Sequence, residues 1–236
     1  MEKIIGVAPA GFIGNLEESC MEDHYKINNN YVKRVVESGC TPVGLAPVDG
    51  WLTEQQLDMC NGFVVQGGQQ FFPYHFQIIH HAVTTGKPYL GICLGEQLVY
   101  VYFKHKQTVE ELGYQGDLVK AICDYRAAQG KGFSVLDRAI GHRCEKPPRG
   151  QEDVVKHDVK VVPNTILHTL LGRDSLRIST FHNSCVPADQ KFLTVNAWSA
   201  DGVVEGVEYS GNVLGIQGHP EIDTQLPQLF DFVAKF

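Results

Sequence analysis

The 236-residue sequence contains no cluster of basic residues, and its formal net charge is −7. A phosphate backbone is held by clustered Lys and Arg, so a nucleic-acid surface is not expected. No apolar run approaches the roughly 20 residues that cross a bilayer, so no membrane role is expected either. The opening stretch, "MEKIIGVAPAGFIG", has no basic start leading into a long apolar run and a small-residue cleavage site, so no export signal is read there. The seven cysteines (Cys20, Cys40, Cys60, Cys93, Cys123, Cys144 and Cys185) are odd in number and widely spaced. That pattern suits reduced thiols in a cytoplasm better than a disulfide framework. Repeats, low-complexity tracts and linkers are missing, and so is the phosphate-loop pattern G-x-x-x-x-G-K-[ST]. What is left is a cytoplasmic chain read as a single domain over 1–236, with 43% hydrophobic and 20% charged residues, ordinary for a globular protein.

What is present is an alternation of short apolar runs with helical patterns. "KIIGVA" (3–8), "TPVGLAP" (41–47), "GFVVQGG" (62–68) and "KPYLGI" (87–92) read as strands. Between them, 25–39 places Tyr31, Val32, Val35 and Val36 on one helical face, 53–60 starts with a threonine cap, and 73–86 is helical. Strands alternating with helices imply parallel pairing with right-handed crossovers. The first hundred residues are therefore expected to form an α/β, doubly wound, mostly parallel sheet flanked by helices. From 104 to 175 the pattern weakens, with a polar surface loop read over 144–158 before the strand "VKVV". After 176 the chain is strand-rich ("LRIST", "FLTVNAWS", "VVEGVEYS", "VLGIQG"), and 224–236 closes it as an amphipathic helix.

The chemistry concentrates at "GICLG", where Gly91-x-Cys93-x-Gly95 joins an apolar strand to an apolar helix. In doubly wound sheets ligands bind beyond the carboxyl ends of the strands. The pattern is a nucleophile elbow with a thiol in place of a hydroxyl. The turn is sharp enough that a side chain on either flank would strike neighbouring backbone, which glycine avoids. Cys93 then points into open space at a helix N-terminus, where thiolate is favoured. The amide of Leu94 can form half an oxyanion hole, and Gly67-Gly68 at the next strand end can supply the other donor. "GIQGHPE" ends a later strand with His219 and Glu221, a base or acid with a carboxylate placed to orient its ring.

These segments resemble the class I glutamine amidotransferase superfamily, and within it the branch of γ-glutamyl hydrolases. The features that carry the resemblance run in order: "GFVVQGG", "GKPYLGICLGEQ", "HDVKVV", "STFHNSCV", "DGVVEGVE" and "VLGIQGHPE". The resemblance implies Cys93 as nucleophile, His219 as acid and base, and Glu221 as its orienting carboxylate. It implies oxyanion amides from Gly68 and Leu94, and a substrate pocket drawn from Gly67, Gln97, Phe181, His182 and Gln217. The implied activity is hydrolysis of a γ-glutamyl amide of some small conjugate through a thioester. No cofactor is implied, and a homodimer fits a chain of this size. The alternatives are a glutaminase subunit that passes ammonia to a synthase partner, and a silent γ-glutamyl-binding protein. The sequence departs from the branch at Leu94, where arginine is common, in the short stretch after Gly68, and at Glu96, where Met is common. Glu96 reads either as a solvated helix-start carboxylate or as a contact for a cationic part of the substrate.

The remaining candidates have plainer readings. His80-His81 reads as surface histidines, Cys185 as a small hydrophobe, and "YVYF" (100–103) as core. His142-x-Cys144 with His157 has one cysteine and loose spacing, so no metal is expected there.

Overall fold

A sheet covered by helices on both sides needs strands that are apolar on both faces, and the inner strands are apolar in this way. The computed structural model describes residues 2–13, 24–130, 134–143, 155–223 and 226–235, so Cys20, Cys144 and most of the loop read over 144–158 lie outside the described residues. In chain order the first half contains β1 (Ile4–Ala8), β2 (Phe12–Ile13), β3 (His24–Tyr25), α1 (Asn29–Glu37), β4 (Thr41–Gly44), α2 (Glu54–Asp58), β5 (Gly62–Val65), α3 (Pro73–Thr85), β6 (Tyr89–Ile92), α4 (Leu94–Glu111) and α5 (Leu118–Gln129). The second half contains β7 (Asp137–Arg138), β8 (Lys156–Val161), α6 (Ile166–Leu171), β9 (Ser175–Ser179), β10 (Ser184–Cys185), β11 (Thr194–Ser199), β12 (Val204–Tyr209), β13 (Val213–Ile216), a 3-10 turn (Pro220–Ile222) and α7 (Gln228–Lys235).

Nine strands form one sheet in the order β4-β1-β5-β6-β13-β12-β11-β8-β9. The strands from β4 to β13 pair in parallel, and those from β13 to β9 pair antiparallel. The expected mostly parallel sheet with a strand-rich C-terminal part is therefore present. One face packs Phe63, Val65 and Tyr89 against apolar side chains of α2, α3, α4 and α5. The other packs Ile5, Val7, Val64, Leu90 and Ile92 against α1, α6 and α7.

Local signals fixed several ends. Thr53 and Gln56 form a capping box at α2, as the threonine predicts. Gly86 closes α3 in the left-handed region at φ 76°. Other expectations shift. In α1, Tyr31 and Val35 face inward but Val36 is 57% exposed, because the next residue along a helix turns about 100° away. Strand β8 begins at Lys156, inside the stretch read as loop, and α5 occupies the weakly patterned region after 104. His80 and His81 are half-buried rather than surface residues: His80 Nδ1 lies 2.9 Å from the Tyr102 hydroxyl, and His81 packs edge-on to Phe63. Tyr102 and Cys185 are buried, as expected for core.

The tightest packing in the sheet centre is at the start of α4. A Cβ on Gly95 would land on the carbonyl oxygen of Val65, and one on Gly91 would come 2.5 Å from the carbonyl oxygen of Gly95. These neighbours are backbone in central elements and cannot step aside. Gly95→Ala is therefore expected to cost about 3 kcal/mol, at the upper end of overpacking penalties. Urea denaturation would read this as a lower midpoint at an unchanged m-value.

Candidate active site

The site is assembled by two adjacent parallel strands that end together. β6 and β13 pair up to Ile92 and Ile216, and the next amide, that of Cys93, donates to the carbonyl of Ile216 at 2.8 Å. The chain then turns into α4 with Cys93 at φ 54°, ψ −105°. A non-glycine residue held at positive φ stores on the order of 1–3 kcal/mol of strain, which the fixed strand and helix sustain. Cys93 is 8% exposed and sits at the N-terminus of an 18-residue helix.

Beyond Ile216, the chain carries His219 to the same place. The His219 amide donates to the carbonyl of Ser179 at the end of β9, and Pro220 starts the 3-10 turn that holds Glu221. His219 Nδ1 is 2.7 Å from Glu221 Oε1. The imidazole and the thiol meet over Gly67: a Cβ there would lie 3.1 Å from His219 Cε1 and 3.3 Å from Cys93 Cβ. Burial works to strip the His219 ring of its proton. The charges of Glu221 and Cys93 outweigh it and hold the imidazole well above its ordinary pKa. The structure brings Cys93, His219 and Glu221 together in one place.

Tyr31 completes this group and was not legible as a site residue. Its hydroxyl donates to Glu221 Oε1 at 2.9 Å and accepts the amide of Gly67 at 3.1 Å. Arg34, one turn further along α1, donates to the Glu221 carbonyl. Burial first, then the Glu221 charge, pushes the Tyr31 phenol well above its ordinary pKa, so it stays a donor. Helix α1 therefore braces the carboxylate from the far side of the sheet sequence.

The expected pocket residues divide. Gly68 leaves no room for a side chain, since a Cβ would strike the Ala10 carbonyl and come 3.1 Å from Leu94 Cδ2, so Gly68 and Leu94 are neighbours. The Gly67 amide is taken by Tyr31, leaving this residue a floor against which Cys93 and His219 pack. Gln97 is buried and uses its amide nitrogen on the carbonyl of Ser184 (2.7 Å) and on Gln217 Oε1 (2.8 Å). Phe181 lies beneath the Arg143 guanidinium. His182 is buried, with Nδ1 3.0 Å from the Ser184 carbonyl. Ser184 thereby joins the Gln97–Gln217 pair to His182.

A thiol-bearing elbow on a doubly wound sheet, beside a His–Glu pair at the neighbouring strand end, defines the class I glutamine amidotransferase-like class of proteins. Within that class, residues 74–221 match the peptidase C26 family model, and the chain belongs to that family. Protein NtpR of Enterococcus hirae is 25% identical over 232 residues, covering 87% of each chain. Among solved structures, the glutaminase domain of Trypanosoma brucei CTPS, solved with bound acivicin, shares the fold at TM-score 0.65 and 16% identity, covering 98% of this chain and 92% of that one. A Thermotoga maritima glutamine amidotransferase shares it at TM-score 0.55 and 18% identity, covering 94% and 77%. Among the described residues no helix is long and apolar enough to cross a membrane.

Glu96 requires a correction. It is not a solvated helix-start carboxylate: it is 0% exposed, directed onto β13, where a Cβ on Gly215 would meet its Cγ at 2.7 Å. Neither carboxylate oxygen has a hydrogen-bond partner. Burial, then the charges of Glu205 and Cys93, push its pKa well above the ordinary carboxylate value. A carboxyl held neutral has lost the charge with which it would read a cationic substrate group. The unfolded chain releases this proton near the ordinary carboxylate value of about 4.5 while the folded chain retains it. The folded state then binds more protons, so this group erodes stability as pH rises above that value. Glu96→Met, of similar shape, is expected to raise Tm more at about pH 8 than at about pH 4.5. Melting curves at the two pH values check this.

Proposed function

We propose that the protein is a cysteine hydrolase that cleaves the γ-glutamyl amide bond of a small conjugate, releasing glutamate and an amine. The observation that carries this reading is the strained Cys93 elbow facing a His219 imidazole whose proton is held by Glu221. Membership of the peptidase C26 family supports it.

In this reading the Cys93 thiolate attacks the γ-carbonyl carbon, and the amides of Gly68 and Leu94 receive the developing oxyanion. Collapse of the tetrahedral adduct breaks the C–N bond as the His219 imidazolium gives its proton to the departing amine. The neutral imidazole then takes a proton from water, and hydroxide attack on the thioester releases glutamate and the thiolate. Gln97, Gln217, Phe181 and His182 line the side on which the glutamyl group would lie. Tyr31 holds Glu221 in position and is a positioning residue.

A second reading has one specific observation in its favour: the neighbour solved with acivicin is a glutaminase domain of a larger enzyme. Here the same chemistry on glutamine would hand ammonia to a synthase partner. The third, a silent binder, is opposed by the presence of all three polar groups at one place.

Two measurements test the reading. Glutamate release from a panel of γ-glutamyl amides is expected for at least one amide, with Cys93→Ala abolishing it. Ammonia from free glutamine alone would instead support the glutaminase subunit, and silence throughout would support the binder. The second is a pH profile. Glu221 helps hold the proton on His219, and the imidazolium is lost as pH rises through the raised pKa. Glu221→Gln should therefore move the alkaline limb of kcat/KM toward lower pH and reduce kcat by about 10²–10⁴-fold.

A further inference from the structure

On the antiparallel side of the site, four residues from separate segments converge. Glu205 on β12 is 1% exposed, and three imidazole nitrogens surround its carboxylate. His142 Nδ1 is 3.0 Å from Oε1, His182 Nε2 is 3.5 Å from the same oxygen, and His157 Nε2 is 3.5 Å from Oε2. None of these contacts has hydrogen-bond geometry, and all five atoms are buried without a hydrogen-bond partner.

The outer sides of two rings explain why. His142 Nε2 is 3.0 Å from Asp201 Oδ2, and His182 Nδ1 is 3.0 Å from the Ser184 carbonyl. Both partners only accept, so each ring carries its proton on the outward nitrogen. The inward nitrogen of a neutral ring is then a bare lone pair, facing a carboxylate that is also a bare acceptor. A buried carboxylate ringed by imidazoles needs positive charge or a donor beside it, supplied either by a ring proton or by a bound metal ion. The outward bonds are also the arrangement by which metal-binding histidines are oriented, with a carboxylate or a backbone carbonyl behind the ring.

The spacing agrees. Donors bound to one tetrahedral zinc at about 2.0–2.1 Å stand about 3.3–3.4 Å from one another, and His142 Nδ1 and His182 Nε2 stand 3.0 and 3.5 Å from the same oxygen, Oε1, with His157 Nε2 3.5 Å from Oε2. The ligand atoms of His142, His157 and Glu205 all lie within 4.8 Å of one another, so a small inward shift closes the set. We propose that His142, His157 and Glu205, with His182 as the fourth donor within reach, form a binding site for a divalent cation of the zinc class. Imidazole with one carboxylate suits Zn²⁺ and Co²⁺ rather than Ca²⁺ or Mg²⁺, which prefer all-oxygen shells.

With His182 drawn in as a fourth donor the site would be closed, and its role would be to hold structure. It ties β8, β12 and the segments at 142 and 182 together. Through the shared Ser184 carbonyl, it fixes the wall carrying Gln97 and Gln217. The expectation of no metal at His142 and His157 rested on pairing them with Cys144. The fold pairs them with a carboxylate some fifty residues downstream instead.

The test uses the full chain carrying Cys93→Ala, so that the reactive thiol cannot bind metal. Metal-stripped protein is titrated with Zn²⁺ by calorimetry and with Co²⁺ by visible absorption. The expected result is stoichiometric binding, cobalt bands of a four-coordinate nitrogen–oxygen site, and no near-ultraviolet thiolate-to-cobalt band. His157→Asn should weaken binding by more than about 100-fold, and Asp201→Asn, behind His142 and largely exposed, by about 10–100-fold. Circular dichroism of the stripped variants separates lost binding from lost folding. Should His157→Asn fail to fold, Asp201→Asn and the parent cobalt spectrum decide. Absence of stoichiometric binding, a thiolate-dominated cobalt spectrum, or affinity unchanged in Asp201→Asn would overturn the proposal.

Discussion

The amide of Cys93 donates to the carbonyl of Ile216, and the rest of the site depends on that bond. It is the last rung of the parallel ladder between β6 and β13, and it sets where both strands stop. Past it one chain bends into α4 and the other runs through Gln217 to His219. Two segments more than a hundred residues apart thus start from a common, fixed point. The bend is possible because Gly91 and Gly95 remove the side chains that would otherwise strike backbone. The elbow is therefore a product of close packing between β5, β6 and the first turn of α4.

The site's second constraint is the burial of charge. Glu221, Glu205 and Glu96 are each almost fully buried within one region, and an unpaired carboxylate in such a place is heavily disfavoured. Each is handled differently. Glu221 receives His219 and the Tyr31 hydroxyl. Glu205 is encircled by three imidazoles. Glu96 has no partner and is held neutral. The differences follow from position: Glu221 lies in a turn that helix α1 can reach, Glu205 on a strand flanked by histidine-bearing segments, and Glu96 on a helix face pressed onto glycine of β13. Similar side chains in neighbouring places thus have separate partners, and it is Glu221 and Cys93 that hold the proton on His219.

Much of this was legible in the sequence where the constraint is local. The elbow spans five residues, its glycines are needed for a reason that acts within those residues, and His219 and Glu221 are two apart. The parallel half was legible because each strand and its helix have a distinct period. Tyr31 was not: its contact with Glu221 crosses 190 positions, and within α1 it reads as one more apolar-stripe residue. Helix α5 was missed because its inward residues, Val119, Ala121 and Ile122, make a narrow stripe with a small residue in the middle. Glu96 was misjudged because helix-start carboxylates are ordinarily solvated. What overrides that rule is the sheet beneath, where Gly215 leaves space for a side chain to lie flat.

The antiparallel half of the sheet carries the other consequence of register. Gly206 pairs with Ile216, and the Gln217 amide donates to the Glu205 carbonyl at 2.9 Å, so Glu205 and Gln217 stand side by side on adjacent strands. Directly paired residues project to the same face of a sheet, which here is the face that α4 covers with Glu96 and Gln97. On its other side the pairing with β11 is irregular here: Ala197 pairs with Gly206 and Trp198 with Val204, so Glu205 is the extra residue of a bulge. A bulge re-aims the side chain it carries. It sets one carboxylate among the imidazoles of His142, His157 and His182, and Gly206 beside it lets Asn196 approach the strand closely. The parallel half shapes the Cys93 elbow, and the antiparallel half supplies the polar side chains beside it.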